Sequence, residues 1–95
     1  MRLLGCEANM KVAFTKKFQK QLQKLPAKIE KKFIDRLTLF LSEPQSPVLR
    51  IHTLSGSRYP FQSMNVTGDY RALFLCDADT VKFYEIGTHS ALYGK

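Results

Sequence analysis

The sequence predicts a two-layer α+β domain in which a helix hairpin packs on a small antiparallel sheet, in the order β-α-α-β-β-β. Three observations predict it. Residues 16–42 carry apolar side chains at helical spacing, interrupted at Pro26. Residues 59–87 change to short β-like runs separated by two tight turns. One further short run, Lys11 to Phe14, precedes the helices.

In chain order, residues 1–9 read as a loose N-terminal extension, with Met10 a candidate natural start, and residues 10–95 as a single domain. Thr15 is placed to cap a helix over Lys16–Leu25 with Phe18, Leu22 and Leu25 on one face. Pro26 breaks that helix and suits the first turn of the next. The second helix covers Ala27–Ser42 and has Ile29, Phe33, Leu37 and Leu41 in a stripe widened by Ile34 and Phe40. Phe18, Leu22, Ile29, Phe33, Leu37 and Leu41 are expected to face the sheet, each contributing roughly 1.5–3 kcal/mol on burial. Residues 45–58 are irregular. Tyr59–Val66, Tyr70–Cys76 and Val81–Gly87 are expected strands, with turns at Thr67-Gly68-Asp69 and Asp77-Ala78-Asp79-Thr80. Residues 88–95 read as a tail. The sheet face away from the helices is expected to be open, with a site at the strand ends that carry Gly68 and the tail.

Composition narrows the function. The 95 residues are 44% hydrophobic and 12% aromatic, enough for a folded core, and 15 Lys and Arg against 8 Asp and Glu give a net charge of +7. Such a balance suits a polyanion such as RNA or DNA, or an acidic protein. Residues 11–36 hold nine of the cations against Glu30 and Asp35. They read either as a solvated helix face or as a footprint for a phosphate backbone, to which Lys16 and Lys17 are expected to contribute. Cys6 and Cys76 lie far apart, with no Cys-x-x-Cys pair, so neither a disulfide scaffold nor a structural zinc site is expected and a cytoplasmic setting is. No apolar run is long enough to span a bilayer, so no membrane partner is expected. Phosphate-binding loops, dinucleotide fingerprints, nucleophile elbows and zinc-protease motifs are missing from the sequence, and neither a metal nor a small-molecule cofactor is expected.

The chemistry-bearing residues cluster late in the chain. Cleaving RNA without a metal needs a base for the 2′-hydroxyl, donors for the charged phosphorane and an acid for the leaving 5′-oxygen. Histidine suits acid and base work near neutrality, and arginine suits the phosphate because its fork is bidentate. His52 reads as a loop residue or as one member of such a pair. His89, just after Gly87-Thr88, reads as a strand-end cap or as the other. Arg71, in an otherwise apolar strand, either clamps substrate or forms a salt bridge to Asp69 or Glu85. Asp69 suits its turn on conformational grounds alone, and Tyr93 is either a core aromatic or a platform on which a base stacks. Asp77 and Asp79 read as turn residues rather than a metal pair.

From Met10 to Gly94 the chain resembles toxins of the RelE superfamily, in particular the YafQ-like subgroup. The resemblance rests on the opening strand, the Phe-rich basic hairpin, His52-Thr53-Leu54-Ser55-Gly56, Gly68-Asp69-Tyr70-Arg71 and Gly87-Thr88-His89-Ser90-Ala91-Leu92-Tyr93. It implies a RelE-like fold and an endoribonuclease that cleaves mRNA on the translating ribosome and is held inactive by a cognate antitoxin. By position, His52, Asp69 and His89 match acid/base and phosphate-site residues of the subgroup, Tyr93 its closing aromatic, and Arg71 the strand arginine of the wider superfamily. Two positions depart from the pattern: Asn65 stands where the subgroup offers a histidine, and Glu85 where it offers an arginine. Arg71 and Arg58 are the cations expected to compensate, with Asn65 and Arg58 near the RNA. Two other functions fit the same fold: a ParE-like toxin that inhibits DNA gyrase without cleaving anything, and a catalytically weak homologue that mainly binds antitoxin. Histidines at the sheet end favour the nuclease, because an inhibitory binding module does not need them.

Overall fold

The computed structural model describes residues 10–93, so the extension expected over residues 1–9 lies outside the described residues. Strand β1 (Lys11–Phe14) leads into helices α1 (Lys16–Gln23) and α2 (Ala27–Ser42). A single 3₁₀ turn at Pro47–Leu49 connects to the two-residue strand β2 (His52–Thr53), and another at Gly56–Arg58 connects to β3 (Gln62–Asn65). Strands β4 (Tyr70–Asp77) and β5 (Thr80–Thr88) follow, and β5 runs directly into the short helix α3 (His89–Tyr93). The five strands form one sheet in the order β1-β5-β4-β3-β2.

The two-layer α+β architecture and the helix hairpin are as the hydrophobic periods predict. Phe18, Phe33 and Phe40 are buried against Val66, Ala72, Phe74, Val81, Phe83 and Ile86 of the sheet side. Phe14, Phe18, Phe33 and Phe83 form a ring cluster with centroid separations of 5.2–6.3 Å, the range in which aromatic pairs gain energy beyond their area. Leu22, Ile29, Leu37 and Leu41 pack around this core partly buried. Ile34 does not join the stripe and is 52% exposed.

Four elements differ from the sequence expectation. The sheet is mixed rather than wholly antiparallel, because β1 pairs in parallel with β5, from Lys11 opposite Thr80 to Phe14 opposite Phe83. The helix hairpin supplies the long crossover that a parallel pair requires. Strand β3 spans only Gln62–Asn65, because residues 54–61 instead form the segment that crosses back from β2. His52 and Thr53 pair with Ser63 and Gln62 as a fifth strand. The expected tail is helical from His89.

β1 ends at Phe14, which leaves the outer edge of β5 unpaired beyond Phe83, and α1 closes that edge. Thr15 N–H donates to the Phe83 carbonyl at 3.1 Å and its hydroxyl to the Tyr84 carbonyl at 3.2 Å. The same hydroxyl accepts from Phe18 N–H at 3.0 Å, so Thr15 caps α1 as the sequence predicts. Gln21 Oε1 accepts from Ile86 N–H at 2.8 Å. A β-bulge between β4 and β5 pairs Leu73 with Glu85 but Phe74 with Phe83, leaving Tyr84 as the extra residue. It resets the alternation, so Phe83 and Ile86, three positions apart, both reach the core. Among the described residues no helix is long and apolar enough to cross a membrane.

Candidate functional site

The sheet face away from the helices is not fully open. Leu73, which alternates with the core residues Ala72 and Phe74, is nonetheless completely buried, and so is Leu92 of α3. The end of this face near Arg71 carries a cleft of about 590 Å³ lined by His52, Arg58, Arg71, His89, Leu92 and Tyr93 together with residues of the 54–57 segment. Four separate elements deliver these side chains, so the site exists only in the folded chain.

α3 has five residues and relies on contacts outside itself to hold its place. Thr88 Oγ1 accepts from Ala91 N–H at 3.1 Å, and His89 N–H donates to the Asp69 carbonyl at 3.1 Å. Tyr93 O–H donates to the buried Ser63 Oγ at 3.4 Å. The His89 ring stands edge-on to Tyr93 with centroids 4.4 Å apart. A Cβ added to Gly87 would meet Leu92 at 3.5 Å, ordinary contact distance, so Leu92 seats α3 closely on β5.

The two arginines of the cleft are committed differently. Arg71 uses Nη1 alone: it donates to Asn65 Oδ1 and, at 3.4 Å each, to the carbonyls of Thr67 and Gly68. Among the described residues its Nε–Nη2 edge has no partner, and that edge presents two parallel N–H groups suited to two oxygens of one phosphate. Arg58 is engaged through both terminal nitrogens, Nη1 to Glu85 Oε2 at 3.0 Å and Nη2 to the Leu92 carbonyl. Glu85 also pairs with Lys17 at 3.5 Å. The anion that departs from the subgroup pattern therefore sits between two cations. Asn65, the other departure, orients Arg71.

His52 holds Nδ1 3.1 Å from the Arg50 carbonyl. A carbonyl can only accept, so Nδ1 carries the proton and the lone pair of a neutral His52 resides on Nε2. The residues named from the sequence divide accordingly. His52, Arg58, Arg71, His89 and Tyr93 share the cleft, whereas Asn65 stands behind Arg71 and Lys17 beside Glu85. Lys16 is exposed on α1. The Asp69 side chain is exposed and does not line the cleft; its carbonyl anchors His89. Ser63 and Leu92 were missed from the sequence. Leu92 seats α3 and Ser63 receives Tyr93, and only the alternation of β3 around Met64 hinted that Ser63 faces the site.

No protein-family profile matches the chain, and no curated protein sequence does. Solved structures do. Similar to it are YafQ from E. coli strain BL21(DE3), 20% identical with a TM-score of 0.76 over 90% of this chain and 100% of that one, and a copper-bound mutant toxin from Helicobacter pylori, 28% identical with a TM-score of 0.66 over 87% and 98%. The RelBE2 toxin–antitoxin complex from Mycobacterium tuberculosis contains a chain 24% identical, with a TM-score of 0.69 over 84% and 98%.

Proposed function

We propose that this chain, whose fold is that of the RelE-superfamily toxins in the form seen in YafQ, is the toxin of a type II toxin–antitoxin system and an endoribonuclease. Its substrate is mRNA on the translating ribosome, and its chemistry needs no metal ion. The observation that carries this reading is the convergence in one cleft of two histidines and an arginine with a free bidentate edge. Its partner in the resting state is an antitoxin protein.

The cleft supplies the groups that the reaction needs. Arg71 takes two non-bridging oxygens of the scissile phosphate on its Nε–Nη2 edge and holds the negative charge that grows in the phosphorane. His52 Nε2 accepts the proton of the 2′-hydroxyl as its oxygen attacks phosphorus. His89 gives a proton to the departing 5′-oxygen, so one bond to phosphorus forms as another breaks. The products are a 2′,3′-cyclic phosphate and a 5′-hydroxyl end. Tyr93, fixed by Ser63 and in contact with the His89 ring, orients that imidazole and offers a face to the neighbouring base. Lys16 and Lys17 add to the field that draws in the phosphate backbone.

The test is to incubate the purified protein with translating ribosomes in buffer with free metal limited, to map mRNA ends, and to run a gyrase supercoiling assay in parallel. Cleavage at defined positions is expected. His89→Ala should bind ribosomes as before and cleave about 10²–10⁴-fold more slowly. Intact mRNA with gyrase inhibited would instead assign the chain to the ParE-like class. Wild-type cleavage by His89→Ala would remove His89 from the chemistry.

A further inference from the structure

We propose that the Arg58–Glu85 ion pair is a positioning brace for α3, and that Arg58 acts on catalysis through His89 rather than by touching the phosphate. This deepens the nuclease reading above and rests on it.

The two ends of Arg58 carry the argument. One terminal nitrogen donates to Glu85 on β5, and the other to the carbonyl of Leu92, in the last turn of α3. The guanidinium thus ties the helix bearing His89 and Tyr93 to the strand from which that helix emerges. A five-residue helix cannot hold its own geometry, since nucleating one turn is unfavourable and its terminal carbonyls have no partner within the helix. At the N-terminal end, the Asp69 carbonyl and Thr88 hold α3. At the other end Arg58 is the partner of a backbone carbonyl.

Glu85 makes the brace specific to this arrangement. Its side chain is 16% exposed and it contacts both Arg58 and Lys17. A carboxylate this sheltered needs its cations, and Glu85 in turn holds Arg58 where its other terminal nitrogen reaches the Leu92 carbonyl. Moving Arg58 to a phosphate would strip Glu85 of its closer partner beside an incoming anion. Arg71 has no such obligation on its Nε–Nη2 edge.

Removal of Glu85 separates the two roles. If Arg58 were a phosphate ligand restrained by Glu85, Glu85→Ala would free it and tighten RNA binding. As a brace, Glu85→Ala and Arg58→Ala should behave alike. Both should shift the His89 ring resonances away from their position beside Tyr93 in NMR spectra of histidine-labelled protein. Both should lower kcat on ribosomes by up to about 10²-fold while changing KM by less than about threefold. Arg58→Lys, which keeps the contact with Glu85 but cannot span to Leu92, should fall between them and wild type, and serves if Arg58→Ala does not fold. Unchanged His89 resonances in both Arg58 variants would overturn the brace, as would a rise in KM with kcat preserved. If the wild-type protein leaves mRNA intact, the nuclease reading fails, and the His89 resonances still decide whether the brace exists.

Discussion

Arg71 shows how one side chain can be both fixed and available. Asn65 and two turn carbonyls restrain Nη1, so the guanidinium plane is set before any substrate arrives. Preorganised donors of this kind incur little reorganisation cost at the moment of reaction. Arg71→Lys keeps the charge but has neither the second donor nor the plane. It should lower the cleavage rate about 10²–10³-fold, as loss of one preorganised oxyanion donor does, with the denaturation midpoint within error of wild type. Unchanged cleavage by a well-folded Arg71→Ala variant would assign Arg71 to structure. The sequence exposed this residue because a cation interrupts an apolar strand. It did not expose the contrast with Arg58, because the partners of Arg58 lie 27 and 34 positions away in the chain.

At the scale of elements, legibility follows the range of the interactions that define each one. The helix hairpin and the β3–β4–β5 meander are written in local period and turn chemistry, and both are present. Pairing of β1 with β5 joins Lys11 to Thr80, and no local signal distinguishes a parallel edge from an antiparallel one. β2 has two residues and exists only because Ser63 and Gln62 lie opposite. α3 is too short for a period, and the Tyr84 bulge breaks the very alternation by which a strand is read. The Phe33 ring, legible from helical spacing, touches Phe14, Phe18 and Phe83 and is 1% exposed. It therefore joins the hairpin to both parallel strands. Phe33→Ala should destabilise the fold by roughly 3–5 kcal/mol, a large share of the ~5–15 kcal/mol typical of a domain. Chemical denaturation would measure it, and a loss below about 1 kcal/mol would mean that the helices contribute little to holding the sheet.

Over the whole molecule, charge and shape divide the labour. The lysines of α1 and α2, from Lys16 to Lys32, are exposed, and of these Lys17 reaches Glu85, whereas the cleft lies on the sheet face away from the helices and keeps its own cations in place with Asn65, Glu85 and backbone carbonyls. A basic surface distributed in this way attracts any long polyanion, and its reach is set by ionic strength, from about 30 Å at 0.01 M salt to about 3 Å at 1 M. On the toxin reading, an antitoxin is expected to do more than neutralise charge, by occupying the cleft or blocking access to it. An acidic or amphipathic segment that folds on binding can wrap across both layers. Expression of this chain alone should arrest growth, and co-expression of an antitoxin encoded beside it should relieve the arrest. The purified pair should form a complex whose affinity falls as salt rises but is not abolished, because contacts in the cleft persist when long-range attraction is screened. Harmless expression of the intact chain at high level would contradict the toxin reading. A complex that dissociates completely at moderate salt would show that the antitoxin holds the lysine face and leaves the cleft uncovered.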